Sequence, residues 1–527
     1  MFKREKIDGY WFRAKAPELL LCGLIVLYLH SVSDRAFSDF WADEIYTLKH
    51  FVLVPLSVTI SDYHVPNNHV LFSLLLNAWT SLLGQDTLRD VFVSPFSVRL
   101  LPLTFSLSSI YLVYRIGEEI GDRWLGIIAA SLLVCSLSFF EFGIQLRGYS
   151  LSICLVAAMI LESFKMMRKP KIVPFFRTVF LTIMLAYTIP SNYYFLLGLF
   201  FAAVGMGLWD YSRERRGNNC IHSERKGDAL LAVAVAVALG VAVSLVLYLP
   251  ILQEVFFNEY VEKIGVDFAR AVKMFYLVNT AFLSRRTGIL VLALVGVFWL
   301  LREKRFSTEC KGLVYLGAVF ILPFIISGIR GDNPPPRAFA VLVPIFSIGV
   351  GWLIYLVFQK IGLMRLAVGV FCLIGALEFH YERGRLESVI NHNLEKTRGP
   401  SRAQELNYGY YSYGYQPLTD IRVFNGLRIG GKPLIIGDAE PNGLSEYLDA
   451  MGVDHILTDL RIPDVDGGPW VEPRLRELAK KYPNGFYFVT RFHNRLYRSL
   501  IEEAVPARVT AISPQVSYHN FFHVEPI

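Results

Sequence analysis

The chain has 527 residues, of which 54% are hydrophobic and only 18% charged, with a mean hydropathy of +0.41. So apolar a composition excludes an ordinary water-soluble protein and points to one built largely in lipid. The formal charge of +7 is gathered between apolar runs. That leaves no continuous basic face and argues against a nucleic-acid partner.

In chain order, Lys3, Arg4, Lys6, Arg13 and Lys15 precede a first apolar run at 17–33. A cleaved signal peptide is the alternative reading of this run, with Ser31-Val32-Ser33 as the cleavage site. The long charged leader and the acidic loop that follows at once favour a retained span. That loop, 34–95, holds Trp41-Ala42-Asp43-Glu44 and then Ser61-Asp62-Tyr63-His64-Val65-Pro66-Asn67-Asn68-His69. It also holds two amphipathic stretches, Glu44–Val54 and His69–Leu83. The second places Leu71, Phe72, Leu75, Trp79, Leu82 and Leu83 on one face and Asn68, Ser73, Asn77 and Thr80 away from it. It is too short to cross a bilayer and reads as a helix lying in the interface.

Because a bilayer needs about 20 apolar residues per helix, further spans are expected at 96–116, 124–140, 148–165, 175–189, 192–209, 229–250, 288–301, 313–328, 337–357 and 364–379. Lys/Arg clusters follow the fourth, sixth and eighth spans, while the opposite short loops carry almost none. The positive-inside rule then puts the N-terminus in the cytoplasm, and about 11 transmembrane helices bring the C-terminal region outside. Segment 251–287, with Lys263, Arg270, Lys273, Arg285 and Arg286, is a second long outer segment, suited to cover a site or meet lipid headgroups.

Residues 1–379 are thus expected to form the membrane domain and 380–527 a soluble α/β domain. In the latter, strands are predicted at Lys432–Gly437, His455–Thr458 and Phe486–Thr490, and helices at Gly443–Met451 and Pro473–Lys481. Gly437-Asp438-Ala439-Glu440 lacks the spacing of a dinucleotide fingerprint. Tyr408–Tyr415 carries five tyrosines in eight residues and reads as a flexible loop, or as a carbohydrate-stacking or membrane-interface patch. Cys22, Cys135, Cys154 and Cys372 fall in apolar runs, Cys220 and Cys310 in basic loops, and none lies after Phe379. That is no disulfide framework. The chain has no Asn-x-Ser/Thr acceptor, which leans toward a bacterial envelope.

The residues able to do chemistry collect at the outer ends of the spans. Asp43 either caps a helix over Ile45–Phe51 or serves as a base, with Glu44 beside it. Glu141-Phe-Gly-Ile-Gln145-Leu-Arg147-Gly-Tyr149 forms a short outer turn. Topology does not explain Arg147 there: it either pairs with Glu141 or binds a phosphate bidentately. Arg330-Gly-Asp332-Asn-Pro-Pro-Pro-Arg337 adds two guanidiniums in a proline-stiffened loop.

An apolar span, Asp-Glu, interfacial helices, an Arg-Gly-Tyr turn and a late Arg before a Pro-containing span resemble the GT-C membrane glycosyltransferases. The nearest branch holds the protein O-mannosyltransferases and the aminoarabinose transferase of lipid A. The likeness runs over roughly residues 10–380, and its order along the chain is more specific than any one motif. It implies a GT-C fold with Asp43 as catalytic base, Glu44 beside it and Asp62 as the second acidic position. It further implies Arg147, Tyr149, Arg337 and Arg330 as ligands of a donor phosphate, with His64 and His69 near the acceptor. In the second motif Asp62-Tyr-His-Val-Pro replaces the Glu-Lys-Pro-Pro of the lipid A enzyme, which leaves the acceptor and any metal at His64 open. The resemblance implies a polyprenyl-phosphate-linked sugar as donor and a glycan, lipid or protein hydroxyl as acceptor. A divalent ion at Asp43, Glu44 and His64 is an optional partner. The setting would be the outer face of a bacterial inner membrane, among its lipids. A polytopic transporter of lipid or glycan and a non-catalytic assembly partner are the competing classes; internal repeats, absent here, would favour the transporter.

Overall fold

With no water in the bilayer core to satisfy backbone groups, long apolar runs are driven into helices. The computed structural model describes residues 4–168, 171–215, 226–257, 265–283, 293–297, 308–331, 334–361, 431–437, 444–457, 471–490, 501–511 and 520–527. Seven described stretches are helical, long and apolar enough to cross a membrane: Ala16–Ser33, Pro95–Ile120, Tyr149–Arg168, Pro190–Ser212, Gly227–Leu247, Lys311–Arg330 and Pro336–Gln359. The chain is an integral membrane protein. Three shorter apolar helices, Val70–Leu82, Arg123–Val134 and Ile172–Thr188, accompany them. The expected span at 364–379, most of that at 288–301, and the tyrosine-rich stretch 408–415 lie outside the described residues.

The helices used below are α1 (Arg4–Phe37), α2 (Ala42–Thr47), α3 (Leu56–Ser61), α4 (Val70–Leu82), α5 (Leu88–Val93), α6 (Pro95–Ile120), α7 (Arg123–Val134), α8 (Leu137–Phe142) and α9 (Tyr149–Arg168). They continue with α10 (Ile172–Thr188), α11 (Tyr193–Arg215), α12 (Lys226–Leu247), α13 (Leu252–Phe256), α14 (Phe268–Leu283), α15 (Thr308–Arg330) and α16 (Val343–Ile361).

One expectation is corrected. The span expected at 124–140 is not one helix. Asp122 starts α7 by accepting from the Trp124 and Leu125 amides at 2.8 and 3.1 Å. The helix then stops at Cys135, and Ser136, in extended conformation, begins α8. The amphipathic helix expected over His69–Leu83 is present as α4 (Val70–Leu82). Ser73 and Thr80 are buried with Val70, Phe72 and Leu76, whereas Leu82 and Leu83 are exposed. In a chain whose surroundings are lipid, leucines gain nothing by turning inward, and hydroxyls gain partners there. Ser73 donates to Asn68 Oδ1 at 3.1 Å.

By internal contacts the chain divides into two units. The first comprises 1–33, 55–77 and 99–380. In it α11 packs on α12 and α15, α10 on α9 and α12, and α7 on α16. Small residues permit the tightest approaches: a Cβ on Gly117 would stand 2.4 Å from the backbone of Gly126.

The second unit comprises 34–54, 78–98 and 381–527. Its sheet runs β2-β1-β3-β5-β4, with β1 Leu434–Ile436, β2 His455–Leu457, β3 Phe486–Thr490, β4 Ala507–Ala511 and β5 Asn520–Pro526. β1 pairs in parallel with β2 and β3, and β5 runs antiparallel to β3 and β4. Helices α17 (Leu444–Ala450) and α18 (Val471–Lys481) complete it, and α18 buries Leu475 and Leu478 with Ile435, Phe488 and Phe522.

Candidate functional site

In the first unit the segment between α3 and α4 and the turn between α8 and α9 meet. Asn68, fully buried, ties the first of these together. Its amide donates to the carbonyls of Thr59 and Asp62 at 2.9 and 2.8 Å, and its oxygen accepts from Ser73. Tyr63 is pinned as well: its backbone N–H donates to Glu254 of α13 at 2.6 Å. Its ring is buried with Val70, Tyr187, Tyr248 and Ile251. These anchors fix where Asn67 and His69 project.

Arg147 is buried, and its Nη2 donates to Asn67 Oδ1 at 2.5 Å. Its guanidinium lies 5.2 Å from the ring centre of Tyr149, the first residue of α9. The Gly148 amide donates to His69 Nδ1 at 2.7 Å. Gly148 must be glycine for this approach, since a Cβ would lie 2.7 Å from Thr188 Cγ2 and 3.1 Å from His69 Cβ. The imidazole also meets the Tyr149 ring edge-on at 5.1 Å.

Accepting at Nδ1 leaves the His69 proton on Nε2, so the neutral ring offers a donor there. Burial first, and then the charges of Arg147 and Arg337, hold its pKa well below 6.5. Burial raises the Tyr63 phenol, with Tyr149 adding to the effect and Arg147 opposing it. The arrangement is a buried cation flanked by neutral donors. It suits an anion and does not suit proton abstraction.

The other expected residues of this unit are arranged differently. Asp62 and His64 engage each other: Asp62 Oδ1 accepts from the His64 backbone amide at 3.1 Å and pairs with its Nδ1. That is a local turn at a half-exposed position. Arg330 ends α15, exposed, with its guanidinium 5.9 Å from the Tyr194 ring centre. Arg337 is exposed in a 3₁₀ turn, Pro336–Leu342, that packs on α8 and α9.

Asp43 and Glu44 belong to the second unit. The N-cap of α2 is Trp41, so Asp43 is not the cap but the second helical residue. Glu44 is buried and turns back to accept from the Trp41 amide at 2.8 Å. Asp43 is half-buried, and its carbonyl accepts from Thr47 Oγ1 at 2.9 Å. Among the described residues no group of three or more His, Cys, Asp or Glu side chains could hold a metal ion. Glu44 is engaged with backbone and His64 with Asp62, a donor set that does not fit one.

Asn67 and Asn68 lie in the singled-out 61–69 stretch without an individual role, whereas sequence reasoning passes over Gly148 and Glu254. Gly148 had a signal, standing between two singled-out residues. Glu254 had none, being 191 positions from its partner.

The crystal structure of ArnT from Cupriavidus metallidurans bound to undecaprenyl phosphate is similar to the chain over 96% of its length and 97% of that protein's, at 13% identity and a TM-score of 0.51. The same protein in the apo state aligns over the same shares at 11% identity, also with a TM-score of 0.51. The apo oligosaccharyltransferase of Archaeoglobus fulgidus, at 12% identity, covers 98% of this chain and 75% of that one with a TM-score of only 0.45. No curated protein matches the sequence. The ArnT likeness gives this chain the GT-C fold of membrane glycosyltransferases. Residues 74–341, just over half of the chain, match the family described as "Family of unknown function (DUF6541)", and the protein belongs to that family.

Proposed function

We propose that the protein is an inverting glycosyltransferase that moves a sugar from a polyprenyl-phosphate donor to an acceptor hydroxyl on a glycan, lipid or protein. The reaction would take place at the outer face of a bacterial inner membrane. The observation that carries this reading is the buried guanidinium of Arg147, held by Asn67 beside a neutral His69, in a fold whose solved relative binds undecaprenyl phosphate.

In the proposed step the acceptor oxygen attacks the anomeric carbon and the bond from that carbon to the phosphate oxygen breaks. The acceptor proton passes to Asp43, and the polyprenyl phosphate leaves as an anion. One displacement inverts the anomeric centre. The leaving phosphate is already a stable anion, so it calls for preorganised positive charge, assigned to Arg147, with Arg337 or Arg330 in support. A positioned base such as Asp43 contributes about 10²–10⁴ in rate. Tyr149 and His69 orient the guanidinium and offer donors. Glu44 and Asp62, also candidates from sequence, are given supporting roles, because their carboxylates are engaged with local backbone.

A transporter carries ionisable residues near mid-span. Here the pairs Asp210–Lys311 and Glu162–Lys165, each with a buried carboxylate and a partly exposed lysine, stand near helix ends, which favours the enzyme. The test is incubation of the purified protein in lipid nanodiscs with a panel of radiolabelled polyprenyl-phosphate sugars. Label should leave the lipid for one donor class, and undecaprenyl phosphate should compete. Failure of every donor to be consumed or to bind would overturn the reading.

A further inference from the structure

The segment carrying Asp43 is held at both of its ends by two adjacent residues, 407 and 397 positions along the chain from their partners. Before α2, the backbone N–H of the fully buried Phe40 donates to the Tyr447 hydroxyl at 2.7 Å. After α2, Lys49 Nζ reaches Glu446 Oε1 at 2.5 Å. Glu446 and Tyr447 both lie on the short helix α17 and both are buried. The Tyr447 ring stacks on Phe92 of α5 at 4.0 Å, with the planes 17° apart, and Phe92 in turn meets Phe40 at 5.9 Å. All of these residues belong to the second unit.

Neither contact is what a short helix needs for itself. Glu44 already serves the Trp41 amide, and Thr47 already serves the Asp43 carbonyl. A buried phenol given to one loop amide, and a buried carboxylate given to a lysine of the π-helical turn Leu48–Val52, together fix the path of residues 40–49. We propose that Glu446 and Tyr447 are positioning residues of the transfer reaction, through which the C-terminal domain sets the place of the Asp43 carboxylate. The inference rests on Asp43 being the base. Such positioning has leverage because a misplacement of about 1 Å can cost on the order of 10²-fold in rate.

The experiment combines kinetics with hydrogen exchange on the full-length protein. Tyr447→Phe keeps the ring on Phe92 and removes the hydroxyl, while Glu446→Gln removes the charge. Each should speed amide exchange across 40–49. Each should also lower kcat on the order of 10-fold, with the donor KM unchanged and the protein folded. Lys49→Glu should behave likewise, and combining it with Glu446→Lys should restore kcat. In an Asp43→Asn background the same changes should add no further loss, since they act through that carboxylate.

Wild-type kcat in both single variants would overturn the proposal even if Asp43→Asn is inactive. So would a loss that persists in full in the Asp43→Asn background, because it would mark a structural role only. Should Asp43→Asn itself turn over at the wild-type rate, the assignment of the base falls. The exchange data would then still report whether α17 holds the segment, so the two failures are distinguishable.

Discussion

Arg147 and His69 show how a few residues set the chemistry of the site. A guanidinium presents a rigid fork of donors, and Asn67 occupies one arm of it. Arg147→Lys would replace that fork with a point charge. Donor turnover is expected to fall by at least about tenfold while the thermal midpoint in detergent changes little. His69 gives a pH prediction. Its folded pKa lies below 6.5, so the unfolded chain takes up a proton that the folded protein refuses. Stability is therefore full above about pH 6.5 and falls as the pH drops below it, by at most about 1.4 kcal/mol per pH unit from this group. His69→Asn retains an acceptor for the Gly148 amide and cannot titrate in this range. Thermal melts from pH 5 to 8 should lose part of the acid slope in that variant, and an unchanged slope would contradict the assignment.

At the scale of elements, the turn between α8 and α9 depends on one missing side chain. Gly148→Ala would push a methyl against Thr188 and His69. It is expected to cost about 1–3 kcal/mol by overpacking, read as a lowered thermal midpoint, and to break the hydrogen bond from the residue-148 N–H to His69 Nδ1. What was legible in the sequence follows the strength of local pattern. Phe486–Thr490 and Leu434–Ile436 are near-continuous apolar runs, as expected of strands in or beside a parallel pairing, and both were read from sequence. β4 and β5 were missed, because Arg508, Thr510, His523 and Glu525 break their apolar runs.

At the scale of the whole molecule, the sequence marks a change of composition near residue 380 and a bias of Lys/Arg among the loops. Composition carries no trace of the grouping of 34–54 and 78–98 with the region beyond 381. That grouping is made by single contacts such as Phe40 with Tyr447, which leave no periodic mark. The charge bias yields a topology prediction: Cys220 should label from the cytoplasm, and a cysteine placed by Glu440→Cys from the outside. Labelling of both from one side would contradict the orientation.

The most direct test of the central claim is the rate at which labelled sugar leaves a polyprenyl-phosphate donor, measured side by side for the wild type and Asp43→Asn. Asp43 is not the cap of α2, so the substitution costs the helix no cap; the favourable charge it removes near the N-terminus is worth about 0.3–1 kcal/mol. Folding should survive, while release falls about 100-fold or more and the wild-type product carries the inverted anomer. Equal release by the two proteins would remove Asp43 as the base, and no release by the wild type from any donor would contradict the assignment as a glycosyltransferase.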